Sequence, residues 1–240
     1  MKRFIGIVSI VLAIAGAACG NSTPATPGPT VSSLAMSPGT DYLKLKGTEK
    51  FSVTATYSSG TTEAVNASWS SDNQSVATVD ASGTVTGVGA GQATITATYQ
   101  GKAATRGLRV IPDYSGNWIG SWGLVPNGCT VSGDFRPEWC LGVQGSFPAT
   151  MNLIQSRDYV SGTWTLQDGN GNVQGTVAPN GTLGLTGSSL QGGVRIEITS
   201  WQSTTTDNRA MAGTFTLRWT VDGRNGWAET RVEMRDFSKQ

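Results

Sequence analysis

FSVTATY, residues 51–57, and ATITATY, residues 93–99, are the stretches that decide the fold of the first part of this chain. In both, apolar side chains alternate with Ser or Thr, so that one set lies on one face of an extended strand and the other set on the opposite face. The side chains expected to point inward are Phe51, Val53, Ala55 and Tyr57 in the first stretch, and Ala93, Ile95, Ala97 and Tyr99 in the second. Short alternating strands separated by turns predict a β-sandwich.

The segments around these strands resemble a known family. WSSD at 69–72, SVATVD at 75–80, GTVTG at 83–87 and GQATITA at 91–97 resemble the pattern of the bacterial immunoglobulin-like domain, group 2. The resemblance implies an immunoglobulin-like β-sandwich over residues 31–112 and a structural or adhesive module at bacterial surfaces, with no catalytic residues. A rigid spacer that holds the next domain away from the membrane is the simpler interpretation, because fold alone does not give function.

Composition and charge restrict the possible functions. The 240 residues include 17 basic and 16 acidic ones, and a net charge of +1 provides no field that would collect nucleic acid. The sequence contains no His, the commonest general base near neutral pH and the commonest zinc ligand. We therefore expect a protein that is not an enzyme and that has no catalytic residues, no cofactor, no metal and no nucleic-acid partner.

The amino-terminal segment predicts export. A basic pair at residues 2–3 precedes an apolar run at residues 4–15, which is typical of an export signal and short for a membrane span. GAAC at residues 16–19 resembles the lipobox of bacterial lipoproteins, which implies that Cys19 becomes a lipid-bearing amino terminus. Ordinary cleavage without lipidation, which would leave the protein in the periplasm, is the alternative, since Gly16 stands where that family usually has Leu.

The cysteine count supports this interpretation. Residues 1–18 would be the signal peptide, and residues 19–30 an uncharged tether rich in Pro, Ser and Thr that cannot bury a core. Three cysteines in an exported protein leave one unpaired, and lipidation of Cys19 would use it. Cys129 and Cys140 are then expected to form a disulfide in an oxidising compartment. We expect a monomer held by its lipid anchor alone at the outer membrane or cell surface.

Residues 113–240 contain seven of the eight Trp and predict a second β-domain. Eight consecutive strands joined by short turns predict an antiparallel up-and-down β-barrel. Asn180-Gly181 predicts a type I′ turn, and residues 168–172, DGNGN, predict a turn between two strands. The predicted strands are Asn117–Val125, Ser146–Gln155, Tyr159–Gln167, Val173–Ala178, Thr182–Thr186, Val194–Trp201, Ala210–Thr220 and Gly226–Asp236.

Gly116-Asn117-Trp118 resembles the Gly-x-Trp signature of calycin barrels, the lipocalin and avidin relatives, which bind small apolar or amphipathic ligands inside the barrel. The resemblance implies that Trp118 plugs the closed end and packs against an Arg of the last strand, where alternation turns Arg231 and Arg235 outward. A core filled by aromatic rings is the alternative, because an eight-stranded barrel is just wide enough for side chains to fill it. The candidate ligand-lining residues are Trp122, Trp164, Trp201 and Trp219.

Three functions stay open at this point. The first is a barrel that binds a small apolar ligand. The second is adhesion to a surface glycan through exposed aromatic residues such as Trp139. The third is glycan hydrolysis by a carboxylate pair such as Glu229 and Glu233. The third is the weakest, since these two residues are expected on the solvent face of one strand, where nothing distinguishes an acid from a base.

The lipid anchor predicts that Cys19→Ala releases the protein from the membrane fraction, because the lipid would be attached only through that sulfur. Fractionation of cells that express the full chain measures this, and Asn21→Ala, which keeps the cysteine, is the matched control. Equal membrane retention of Cys19→Ala and Asn21→Ala would contradict lipidation.

Overall fold

The computed structural model describes residues 28–138, 145–166 and 169–240. The predicted signal peptide, Cys19 and most of the predicted tether lie outside these ranges, as do Trp139 and Cys140. Lipidation and the Cys129–Cys140 disulfide therefore stay predictions. Within the described ranges, no helix is both long enough and apolar enough to span a membrane.

The first part of the chain is the predicted immunoglobulin-like sandwich. Its strands hydrogen-bond in the orders β1-β4-β5, β2-β10-β9-β6 and β3-β8-β7. Their bounds are β1 Val31–Ser37, β2 Tyr42–Lys44, β3 Thr48–Lys50, β4 Ser52–Tyr57, β5 Thr62–Val65, β6 Ser68–Ser71, β7 Ala77–Val79, β8 Thr84–Gly87, β9 Gly91–Tyr99 and β10 Lys102–Ile111.

The alternation seen in the two opening stretches forms the core of this sandwich. Phe51, Val53 and Ala55 are buried, as are the inward residues of β9 at positions 93, 95 and 97, and Phe51 shares one core cluster with Ala93 and Ile95. The tyrosines that end the two stretches are only half-buried. Trp69 is also half-buried and packs against the edge of this core, so that Phe51 is the aromatic residue at its centre.

The second part of the chain is a closed eight-stranded antiparallel barrel, as predicted. Each strand pairs with the next along the chain, and the last strand pairs with the first. Their bounds are β11 Gly116–Gly133, β12 Ser146–Ser156, β13 Tyr159–Leu166, β14 Gly169–Val177, β15 Leu183–Gln191, β16 Val194–Thr204, β17 Ala210–Val221 and β18 Gly226–Lys239.

The predicted facing of the last strand is correct. Thr230, Val232 and Met234 are buried, whereas Arg231 and Arg235 are exposed. The alternation then shifts by one residue at position 236, where the backbone has a φ of 54°. This local irregularity turns Phe237 inward, so that the strand continues to cover the core up to its end.

Two predictions about β11 and β14 are wrong. The first barrel strand does not end near Val125 but continues to Gly133, and Cys129 pairs with Thr230 inside the strand, beyond a bulge. The segment 169–172, predicted as a turn, belongs to β14. Glycine at position 171 is explained by packing, because a β-carbon there would lie only 2.9 Å from the indole nitrogen of Trp164.

The prediction of a type I′ turn centred on Asn180-Gly181 is also wrong. The positive φ, 86°, belongs to Gly181, whose N–H donates to the carbonyl of Ala178 at 2.9 Å. The turn therefore begins at Ala178 and has Pro179 and Asn180 at its centre. Proline fixes φ near the value that the second position of a type I turn requires, and this preference overrides the Asn-Gly signal.

Polar contacts hold the sandwich against one end of the barrel. Asn208, between β16 and β17, donates to the carbonyl of Leu45 at 3.0 Å and accepts from the N–H of Asp113 at 2.9 Å. Arg157, between β12 and β13, pairs with Asp41 and lies 5.3 Å from the centre of the Tyr42 ring. The hydrogen bond from Arg157 holds the pKa of Asp41 below its usual value.

The same end of the barrel receives two further side chains from the sandwich. Arg109 donates to the carbonyl of Val177 and pairs with Asp158 at 3.4 Å. Ile111, the last residue of β10, is buried as part of the barrel core. The sandwich and the barrel are thus connected by the linker at residues 112–115 and also contact each other directly. We call this contact region the junction, and the other end of the barrel points away from it.

Asn208→Gly tests how much the junction stabilises the protein. Glycine keeps the left-handed backbone that Asn208 adopts at a φ of 61° while removing both hydrogen bonds. We expect the free energy of unfolding to fall by about 1–3 kcal/mol, since a backbone donor and a backbone acceptor lose their partners. Urea unfolding followed by Trp fluorescence measures this.

Lys46→Gly is the matched control for the junction. Lys46 has a φ of 64°, close to that of Asn208, and its side chain is exposed. Its replacement by glycine should leave stability unchanged or slightly higher. A loss for Asn208→Gly no larger than that of the control would show that the bridge is energetically neutral.

Candidate functional site: the barrel interior

The four Trp predicted to line a ligand site all belong to the barrel interior or its border. Trp122, Trp164 and Trp201 are 2%, 1% and 3% exposed and are part of one buried cluster. Trp219 is half-buried and packs against the same cluster. The structure therefore brings the predicted residues into one continuous core, and the hydrogen bonds of their indole groups distinguish their roles.

The end of the barrel that faces the sandwich is closed by Trp118 and Tyr114. The indole N–H of Trp118 donates to the carbonyl of Tyr114 at 2.7 Å, and the Tyr114 hydroxyl donates to the carbonyl of Gly181 at 2.8 Å. Both side chains are completely buried. Burial raises the pKa of Tyr114 to about 12, so the phenol is neutral at physiological pH.

Lys239 takes the place of the Arg that the calycin resemblance implied. Its ammonium group lies 5.4 Å from the centre of the Trp118 ring and donates to the carbonyl of Asp113 at 3.1 Å. Gly116 has a φ of 113°, and a β-carbon there would contact the Lys239 side chain at 3.1 Å. Sequence reasoning missed Lys239, because the predicted strand ended at Asp236, before the irregularity that redirects the chain.

Trp201 fills the core and has its hydrogen bond satisfied. Its indole N–H donates to the hydroxyl of Ser203 at 2.9 Å. Its ring stacks on Phe215 with centroids 4.5 Å apart and meets the edge of Phe237 at 6.4 Å. A stacked ring, an edge contact with a second ring and a partnered N–H are the properties of a structural residue.

Trp122 and Trp164 differ from Trp201, since neither buried indole N–H has a hydrogen-bond acceptor among the residues that the structure describes. Trp122 lies against Phe147 with ring centroids 4.7 Å apart. Trp164 crosses over Gly171 of the neighbouring strand. Leaving a buried donor unpaired costs about 1–3 kcal/mol, so two such groups in one core need an explanation.

The interior around these two donors carries no ionisable side chain apart from Tyr114, within the buried part of the barrel that the structure describes. Its buried polar side chains are uncharged hydroxyls, and Ser189 and Thr230 are among them. A group that enters this core would meet hydrogen-bond donors and apolar surface but no charge. Such a setting suits an uncharged molecule with an acceptor oxygen.

The carboxylates considered for hydrolysis lie outside the barrel. Glu229 is half-buried on the outer face and accepts from Arg218 at 2.9 Å, while Glu233 is exposed four residues further along β18. The ion pair with Arg218 engages the more buried of the two carboxylates. This arrangement offers no acid and base flanking a cleft.

Comparison with known families identifies the sandwich. Residues 30–107 match the family model described as bacterial Ig-like domain (group 2). Ice-binding protein 1 of Shewanella frigidimarina (strain NCIMB 400) is 36% identical over 105 residues, which is 42% of this chain and 12% of that protein. The chain thus spans about an eighth of the length of this relative.

Solved structures with some likeness include domains of a surface layer protein. Domains 4–9 of the surface layer protein SbsC match at a TM-score of 0.33 and 16% identity, over 85% of this chain and 31% of that one. Domains 5–6 of the same protein match at 0.32 and 15%, over 85% of this chain and 98% of that one. At TM-scores this low, the likeness supports no inference about function.

Gly171→Ala tests the packing that places Trp164. The new methyl group would lie 2.9 Å from the indole nitrogen and 2.3 Å from the carbonyl oxygen of Ser188. We expect a loss of about 1–3 kcal/mol in the free energy of unfolding and a shift in Trp emission. The control is Gly184→Ala on β15, where the nearest atoms are 3.8 Å away. Equal stability of the two variants would refute the close contact.

Proposed function

Starting from an amino-terminal sandwich that matches the bacterial Ig-like family, we propose that this chain is an exported, non-enzymatic surface protein whose barrel binds a small molecule. The sandwich serves as a spacer or adhesive module. The ligand is uncharged and mostly apolar, and it carries an acceptor oxygen such as a carbonyl or ether.

One observation carries this proposal, namely the two buried indole N–H groups of Trp122 and Trp164 that lack an acceptor. A ligand that offers an acceptor oxygen to either indole would satisfy a donor that the described residues leave unpaired. Trp201, by contrast, has Ser203 as its partner and serves as core. Of the four Trp considered from the sequence, we therefore propose Trp122 and Trp164 as ligand contacts and Trp219 as a border residue.

The contacts between sandwich and barrel indicate which end of the barrel is accessible to a ligand. Sandwich and linker cover the end that holds Tyr114 and Trp118, so a ligand would enter from the opposite end. A lipid on Cys19 and the tether at residues 19–30 would place the sandwich next to the membrane and the free end of the barrel away from it. This supports a location at the outer membrane or cell surface, or in the periplasm if Cys19 is not lipidated.

Ice binding, which the name of the Shewanella protein states, is no part of this proposal, because the chain spans only 12% of that protein. Hydrolysis by Glu229 and Glu233 is likewise left out, since both face outward and Glu229 is paired with Arg218.

Nile red, an uncharged apolar dye with a carbonyl acceptor, is a suitable probe for the barrel. We expect saturable binding that decanol competes away. Trp122→Phe and Trp164→Phe should each weaken binding by about threefold to tenfold, the effect of one lost hydrogen bond with the apolar ring retained. Fluorescence titration of the purified full-length protein measures this.

Trp227→Phe is the matched control, because Trp227 is only half-buried and lies 5.0 Å from the Arg218 guanidinium, outside the barrel core. This variant should bind Nile red like the parent protein. Absence of saturable binding to the parent, or equal binding by all three variants, would refute the interior site. Buried water molecules would then be the acceptors of the two indole N–H groups.

A further inference from the structure

The outer surface of the barrel is divided into a charged half and an uncharged half. On β12 to β15, the outward-facing positions of the described residues carry no charged side chain. They are Ser146, Pro148, Thr150, Asn152, Ile154 and Ser156 on β12, Tyr159, Ser161, Thr163 and Thr165 on β13, Asn170, Asn172, Gln174 and Thr176 on β14, and Gly184, Thr186, Ser188 and Leu190 on β15.

The other side of the barrel, by contrast, carries charged side chains. On β18, Glu229, Arg231, Glu233 and Arg235 occupy successive outward positions, and Arg218 on β17 pairs with the first of them. Charged side chains of both signs usually keep a protein surface soluble. The absence of charge from the outward positions of four neighbouring strands therefore suggests that this face has a specific function.

A groove lies at the border of the uncharged half, where β14 and β15 adjoin β16. A depression of about 630 Å³ lies across β14 to β16, and Asn172, Gln174, Thr186, Ser188 and Glu197 contribute to its lining. A second depression of about 270 Å³ shares Gln174 and Thr186 with the first and extends along the same strands to Thr176 and Gly184. The two shallow depressions adjoin each other, and we call them together the outer groove.

The side chains of the outer groove offer unused hydrogen-bonding capacity. Asn172 lies opposite Ser188, and Gln174 lies next to Thr186 in the same way across the β14–β15 pair. In the described part of the chain, the side chains of Asn172, Thr186 and Ser188 make no hydrogen bond. Amides and hydroxyls both donate and accept, so these pairs can bind groups that do the same.

The residues at the two borders of the outer groove, Tyr159 and Glu197, indicate which kind of ligand fits it. Tyr159 is 48% exposed, lies opposite Thr176, and donates its hydroxyl hydrogen to the side-chain oxygen of Gln174 at 3.3 Å. It presents an apolar ring face beside a polar channel. Glu197 at the other border only accepts hydrogen bonds when ionised and repels anions.

We propose that the outer groove binds a neutral polysaccharide. Such a polymer presents many hydroxyl groups that donate and accept, together with apolar C–H faces, and it carries no charge. Hydroxyls would contact Asn172, Gln174, Thr186 and Ser188, the Glu197 carboxylate would accept from a pair of hydroxyls, and a sugar face would lie on Tyr159. This site is separate from the barrel interior and does not depend on the small-molecule function proposed above.

Other ligand classes fit the outer groove less well. Nucleic acids and acidic polysaccharides need cations, and Glu197 is the charged residue of the lining. A lipid chain needs apolar walls, whereas amides and hydroxyls dominate here. A partner strand needs an open sheet edge, and the closed barrel has none on this face.

Affinity electrophoresis of the full-length protein in gels that contain dextran, mixed-linkage β-glucan, galactomannan or mannan tests the proposal. We expect retardation by at least one of these neutral polymers and none by alginate, an acidic one. Asn172→Ala/Gln174→Ala should weaken that binding by about fivefold to fiftyfold, the effect of losing two groups of hydrogen bonds. Thr186→Arg, which fills the groove, should abolish it.

The control is Arg231→Gln/Glu233→Gln on the charged half of the barrel, which should bind like the parent. Unfolding midpoints and Nile red titration confirm that each variant is folded and that the interior is unchanged, so failure of one site is distinguishable from failure of the other. No retardation by any of the four neutral polymers, or equal retardation of the groove and control variants, overturns the proposal.

Discussion

The pairing of β18 with β11 is the interaction on which the second half of the molecule depends. It joins Trp118 to Lys239 at one end and Gly133 to Gly226 at the other, with bulges between. Without it, two long edges would expose unpaired backbone groups. Closure also decides which side of every strand is inside, because strands alternate with period two and one shift of register would turn the Trp side chains outward.

Closure explains why the barrel has two chemically different surfaces. The interior is made of aromatic and aliphatic side chains and neutral hydroxyls, and it contains indole N–H groups whose hydrogen bonds are not all satisfied. The exterior carries charged side chains on β16 to β18, with the Arg218–Glu229 ion pair among them, and uncharged ones at the outward positions of β12 to β15. A structural core explains Trp118 and Trp201 fully, but it does not explain the unpartnered donors or the outer groove of amides and hydroxyls, and both proposals arise from these two features.

The contacts at the junction give the sandwich a role beyond that of a spacer. Asn208, Arg157 and Arg109 contact both bodies, and Ile111 of the sandwich packs into the barrel core. These contacts cluster at the end that Tyr114 and Trp118 close. The sandwich therefore fixes the orientation of the barrel, which the covalent connection through residues 112–115 would not do without these contacts. None of these contacts has a local sequence signal, since each joins residues far apart in the chain.

The sequence by itself determined that the first part is a β-sandwich and that the second part has eight strands, together with most of their inward faces, because the alternation in FSVTATY, ATITATY and the barrel segments is a local property of the backbone. It also identified the sandwich family and the candidate Trp residues. Only the tertiary structure decided which of those indoles finds a partner, that Lys239 covers Trp118, and that the uncharged residues of four strands form one face. These outcomes depend on the register between strands and on local irregularities such as the one at Asp236, which are set by packing across the closed barrel.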